Sequence, residues 1–194
     1  MALVAKTPRE AFHIFRDHIN HTLNTVLTDY RLQLDILNKK QGPAFLHFKS
    51  RNNERIAVPI SSPWYLYLGQ VLQTAPERNS YRLLTVQYAY RVQRTSPISD
   101  EADVRFEYLS PRLAATDNQY CSNHVQFHRD YQDVRDGFSP NKLHIPTGWV
   151  TIENVIRFLI ADLDVKPRIS TWDEELRKSE KQFREWTGRD IPES

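Results

Sequence analysis

From Tyr81 to Val92 the chain alternates apolar and polar residues, with Leu84, Val86, Tyr88, Tyr90 and Val92 on one side and Thr85, Gln87, Arg91 and Gln93 on the other. A period of two belongs to a strand that buries one face, and a run this long predicts a central strand. Val104, Phe106 and Tyr108 then alternate with Arg105 and Glu107, and Ser122–Arg129 sets Val125 and Phe127 against His124, Gln126 and His128. Leu143-His144-Ile145 follows as a last short strand before Pro146. The links between these runs are polar, marked by Pro97, Asp100, Pro111 and the stretch Asp130–Asn141, and none carries a helical period. Strands that succeed one another without intervening helices pair as an antiparallel meander.

Helical patterns flank the meander. Thr7-Pro8-Arg9-Glu10 supplies a capping threonine, a proline at the first helical position and a glutamate three residues after the cap. Apolar residues then recur at Phe12, Phe15, Ile19, Leu23, Val26, Tyr30, Leu34 and Leu37 until Gly42-Pro43. That spacing predicts a helix of about 30 residues whose stripe packs on the chain's own sheet or along a second chain. At the other end, Thr151 caps Ile152–Leu163, apolar at Val155, Ile156, Leu159 and Ile160, and Ser170 or Thr171 caps a mostly charged helix, Trp172–Trp186. The expectation is α+β: an antiparallel sheet with a long N-terminal helix and two C-terminal helices packed against it. Residues 1–169 form a single domain, and 170–194 a C-terminal helical extension that packs loosely or serves as an arm for a partner.

Between the first helix and the meander, Ala44–Phe48 and Arg55–Ile60 read as a hairpin joined by Ser50-Arg51-Asn52-Asn53. Lys39, Lys40, Lys49, Arg51 and Arg55 make this the most basic stretch, suited either to contact phosphates or to blunt an edge strand. Ser61-Ser62-Pro63 resembles another cap, and Trp64, Tyr67, Leu68, Val71 and Leu72 then share one face of a short helix.

With 194 residues, 26% of them charged, the chain suits one well-buried core. Its net charge of +2 makes no case for nucleic acid by itself. Cys121 is the only cysteine, which excludes an intramolecular disulfide and agrees with a reducing compartment. The apolar runs near Trp64–Leu68 and Phe158–Ala161 fall short of the roughly 20 residues that cross a bilayer. Met1–Lys6 runs into a helix pattern without the apolar block of a secretory leader. A cytoplasmic protein away from membranes is expected.

The histidines define the chemistry. Four residues of strand separate the Cα atoms of His124 and His128 by about 13 Å, too far to share a metal ion. His18 and His21, three apart on a helix, have no carboxylate or cysteine obviously beside them, and the acids of Asp130–Gly137 recur every third residue where a calcium loop needs every second. No metal or other cofactor is expected. A Cys121–His124 nucleophile pair lacks an oxyanion-hole motif. Metal-independent RNA cleavage fits better, because it needs only a base for the 2′-hydroxyl, an acid for the leaving 5′-oxygen and cations for the phosphate. His124, His128 and His144 are the acid–base candidates, and Arg91, Arg105 and Arg129 the phosphate contacts. The arrangement works if the strand of His144 pairs with that of His124.

The order Tyr90-Arg91-Val92, Val104-Arg105-Phe106-Glu107-Tyr108, His124 to His128, then Leu143-His144-Ile145-Pro146 leading into Thr151-Ile152-Glu153-Asn154-Val155 resembles that of the TumE-type toxins of bacterial toxin–antitoxin pairs. The likeness covers roughly Leu83–Leu163 and leaves the first helix and the hairpin outside it. It implies a small cytoplasmic α+β protein acting on RNA, a ribonuclease encoded beside an antitoxin-like protein partner that neutralises it. The competing class is a non-enzymatic assembly or regulatory protein, which would bind a protein partner or form a homo-oligomer through the first helix and the Trp64–Leu72 stripe.

Overall fold

The computed structural model describes residues 5–37, 42–78, 80–98, 102–110, 123–127 and 144–187. Helix α1 (Pro8–Val26) starts at its capping signal: Thr7 Oγ1 accepts the Glu10 backbone N–H at 3.1 Å, and Pro8 opens the first turn. It ends at Val26, and the chain reverses into strand β1 (Leu32–Ile36). The expected long helix is therefore 19 residues followed by a strand. Leu32, Leu34 and Ile36 alternate with Gln33 and Asp35, so beyond Tyr30 the three-four spacing coincides with a spacing of two. Asn20 fixes the reversal, since its side chain donates to the Leu32 carbonyl at 3.1 Å and accepts from the Leu32 N–H at 2.7 Å.

Strands β2 (Ala44–Phe48), β3 (Val58–Ser61), β4 (Trp64–Glu77), β5 (Ser80–Gln93), β6 (Val104–Leu109), β7 (Asn123–Phe127) and β8 (His144–Pro146) complete an antiparallel sheet. It has eight strands among the described residues, in the order β1-β2-β4-β5-β6-β7-β8, with β3 pairing the start of β4. From β5 onward it is the predicted meander.

Three local expectations are corrected. The Trp64–Leu72 segment is strand β4, not a short helix: Leu66, Leu68 and Leu72 alternate into the core, and the spacing of Trp64, Leu68 and Leu72 fits either period. The hairpin survives only at its tip, where the Asn53 N–H reaches the Ser50 carbonyl at 3.0 Å and Lys49 bridges Arg55. Beyond it β2 pairs with β1 and β4, while β3 pairs with β4 alone, so of the two hairpin strands only β3 is an edge. Lys39 and Lys40 lie outside the described residues. In β5 the register shifts where Val71 pairs Gln87 but Leu72 pairs Thr85, leaving Val86 as the bulged residue. Leu83 and Thr85 are buried before it and Tyr88, Tyr90 and Val92 after it, so Leu84 and Val86 do not share the buried face with Tyr88.

All three helices contribute to one core against the same face. Phe12, Phe15, Ile19 and Leu23 of α1 join Val155, Ile156 and Leu159 of α2 (Ile152–Asp162) and Leu176 and Phe183 of α3 (Trp172–Thr187). The Thr151 hydroxyl accepts the Asn154 N–H while the Asn154 side chain accepts the Thr151 N–H, a reciprocal cap that starts α2. The apolar stripes of α1 and β4 are thus consumed inside the chain. No helix of the described residues is long and apolar enough to cross a membrane.

Where α1, α2 and α3 meet, Ser179 donates to Glu153, Thr22 donates to Ser179, and His18 Nε2 lies 3.0 Å from the Ser179 hydroxyl. Burial lifts the Glu153 carboxyl above its ordinary value near 4.5, against the pull of the Ser179 hydrogen bond, while Glu180 and Tyr90 lie close by. A folded-state value raised in this way contributes stability that is complete below about 4.5 and is lost as pH rises through the raised value. Glu153→Gln cannot ionise, so its urea midpoint relative to the parent should rise between pH 4.5 and pH 8. A difference that stays constant across that range would contradict the assignment.

Candidate nucleic-acid interface

With the helices on one face, alternate residues of the strands line the other, and the register sets them in rows. Gln33, His47, Gly69, Ala89, Glu107, His124 and Pro146 stand opposite one another from β1 to β8. One row away run Tyr67, Arg91, Arg105, Gln126 and His144. On the other side of the first row lie Asp35, Phe45, Val71, Gln87 and Leu109.

The second row sets two arginines directly opposite each other, Arg91 on β5 and Arg105 on β6. Like charges in such a pair destabilise a sheet. Arg105 is partly compensated by Glu107 on its own strand, its Nε lying 3.1 Å from Glu107 Oε1, and Arg91 lies 5.9 Å from the centre of the Tyr67 ring. The other Glu107 oxygen stands 3.5 Å from His124 Nε2, and the His124 side chain is only 13% exposed.

A cleft of about 420 Å³ opens beside this cluster, over β1, β2, β4 and β5. Gly69, Val71, Ala89, Phe45 and Tyr67 line it, and Arg55, Arg91 and Asp35 bring charge to it. Gly69 is required by close approach, since a Cβ there would meet the Tyr67 hydroxyl at 2.6 Å. Burial pushes the Tyr67 phenol up, and Arg55 and Arg91 pull it back. The Arg55 guanidinium sits 4.3 Å over the Phe45 ring.

Asp35 is held by two donors, His47 Nε2 at 2.8 Å and Lys49 Nζ at 2.7 Å. Burial pushes its carboxyl up, but these hydrogen bonds outweigh burial and hold it below its ordinary range. Burial lowers the His47 value, with Asp35 opposing it, so at neutral pH the ring is uncharged and carries its proton on Nε2. Its Nδ1 is buried with no hydrogen-bond partner among the described residues.

The sequence candidates distribute as follows. Arg91, Arg105 and His124 lie on this face. Strand β8 pairs with β7 as the histidine reading required, with His144 opposite Gln126, two residues from the position opposite His124. His128, Arg129 and Cys121 lie outside the described residues. Among the described residues no three histidine, cysteine, aspartate or glutamate side chains group closely enough to hold a metal ion.

Asp35, His47 and Tyr67 were missed. Asp35 and Tyr67 fall within the helices that the sequence spacing predicts; read at period two, Leu32–Ile36 and Leu66–Leu72 put both on the polar side of strands. Comparison with protein-family models, with curated proteins and with solved structures finds no match for this chain.

Proposed function

We propose that the protein acts on RNA through the open face of its sheet, as a metal-independent ribonuclease of toxin-like character. The observation that carries this reading is the Arg91–Arg105 pair, an electrostatic cost that an incoming phosphate turns into a charge-assisted site. Neighbouring strands lie about 4.8 Å apart, so a row crossing several of them follows an extended nucleic-acid backbone.

In the proposed reaction His124, with Glu107 against it, removes the proton of a 2′-hydroxyl. That oxygen attacks the adjacent phosphorus, the bond to the 5′-oxygen breaks, and an acid returns a proton to the leaving oxygen. His144, across the β7–β8 pairing, is the candidate acid, and Arg91 and Arg105 neutralise the charge that develops on the phosphoryl oxygens. The products are a 2′,3′-cyclic phosphate and a free 5′-hydroxyl.

The test is incubation of a labelled single-stranded RNA with the purified protein in the presence of a chelator. Cleavage with a 2′,3′-cyclic phosphate end is expected, and the all-deoxy strand should remain intact because it has no 2′-hydroxyl. His124→Ala should slow cleavage by about 100-fold or more while leaving RNA affinity within about threefold. Intact RNA, or an unaltered rate in the variant, would overturn the reading. Expression in bacteria should arrest growth, and His124→Ala should relieve the arrest.

A further inference from the structure

The Asp35 cleft adjoins the proposed phosphate row, since Arg91 belongs to both. Its two ends differ in chemistry. Near Tyr67 two guanidiniums, Arg55 and Arg91, face the same phenol. At the other end Asp35 and Gln87 share a register row, and Asp35 is ionised and fixed by His47 and Lys49. Asp35 on β1 and Arg91 on β5 line the same cleft, three strands and four residues of strand apart, about 19 Å between backbones before either side chain reaches inward.

We infer that this cleft seats one guanosine 3′-phosphate unit of the RNA, its base toward Asp35 and its phosphate at Arg91 and Arg55. The inference rests on the RNA reading above and names the base that the site selects. A carboxylate accepts only, and after two donors it still has lone pairs to offer. Guanine alone among the four bases presents two adjacent donors, the ring N1–H and the exocyclic amine, to such an acceptor. Adenine and cytosine set an unprotonated ring nitrogen beside their amine, and uracil flanks its single N–H with carbonyls, so each places an acceptor against Asp35. Phe45, opposite Asp35 on β2, and Tyr67 give the base aromatic neighbours. The phosphate so placed is the one that the Arg91–Arg105 row presents toward His124, which makes Asp35 a specificity residue for cleavage after guanosine.

Calorimetric titration of the full chain with the four nucleoside 3′-monophosphates, guanosine and inorganic phosphate tests this. Guanosine 3′-phosphate should bind at least about tenfold more tightly than the other five probes. Asp35→Asn should bring its affinity to that of adenosine 3′-phosphate. Arg55→Gln, at an exposed position away from the core, should weaken all four nucleotides about equally. Equal affinity for the four bases in the parent, no nucleotide binding, or a guanine preference that survives Asp35→Asn would each overturn the inference. Single-stranded RNA bound and cleaved without base preference would remove the guanine site and leave the RNA reading standing. Guanosine 3′-phosphate bound as described, with RNA neither bound nor cleaved, would remove RNA as the substrate.

Discussion

Replacing Arg91 and Arg105 together by glutamine should lower affinity for single-stranded RNA by about 100-fold and, in the same protein, leave unfolding unchanged or slightly raise its midpoint. The two effects have opposite signs because they have different origins. A charge-assisted hydrogen bond to a phosphate contributes about 1.5–3 kcal/mol, so two lost contacts allow for some compensation and still amount to two decades. The fold exchanges one effect for another: the Arg105–Glu107 ion pair is lost, while the two arginines no longer stand opposite one another, where like charges cost roughly 0.2–1 kcal/mol. Glu107 is the complication, because it loses its Arg105 partner while remaining 3.5 Å from His124. The single variants separate these contributions, with Arg91→Gln the cleaner since Glu107 keeps Arg105. Anisotropy titrations at several salt concentrations provide the decisive slope. Each phosphate contact on a single strand contributes about 0.7 to the dependence of log affinity on log salt, so the double variant should lose about 1.4. An unaltered slope would place the phosphates elsewhere on the molecule.

How far the sequence reached depends on which interactions are local. The meander was legible because Tyr88–Val92, Val104–Tyr108 and His124–Phe127 alternate cleanly and polar loops separate them. The end of α1 was not, because Tyr30, Leu34 and Leu37 satisfy a helical spacing while Leu32, Leu34 and Ile36 satisfy a strand. The chain resolves the tie through Asn20, a side chain whose partner is twelve residues away. The Trp64 stripe failed for the same reason. The Val86 bulge belongs to a pairing between β4 and β5 and leaves no mark on either strand alone. For the interface, the facing of Arg91, Arg105 and His124 came from alternation. Their partners come from register, which loop lengths and turns set. That is why Glu107 beside His124, and Asp35 beneath His47 and Lys49, emerge only from the paired strands.

Phe183→Ala should be the most damaging single truncation on α3, at about 3–5 kcal/mol against a total stability of about 5–15 kcal/mol. The sequence of α3 suggests an accessory helix, since most of its residues are charged. Its few apolar groups are nevertheless well placed: Leu176 is fully buried, Phe183 is 4% exposed, and the Phe183 ring lies 5.8 Å from that of Phe15 on α1. The same helix carries Ser179 into the Glu153 network and Glu180 against Arg157, at 2.9 Å. Removing the ring therefore also unseats polar groups that have no solvent to fall back on. If α3 belongs to the cooperative core, the variant should unfold in one transition at a lower urea midpoint, with far-ultraviolet ellipticity and tryptophan fluorescence changing together. Ellipticity that falls first, ahead of the fluorescence, would mean that residues 170–194 detach as a separate unit. Lys181→Ala, exposed on the same helix, should change stability by no more than about 0.5 kcal/mol. Phe15→Ala combined with Phe183→Ala should cost less than the sum of the two, because both truncations enlarge one space. Below its transition Phe183→Ala should still bind RNA with the parent affinity, since Phe183 and the Arg91–Arg105 row lie on opposite faces of the sheet and only unfolding connects them.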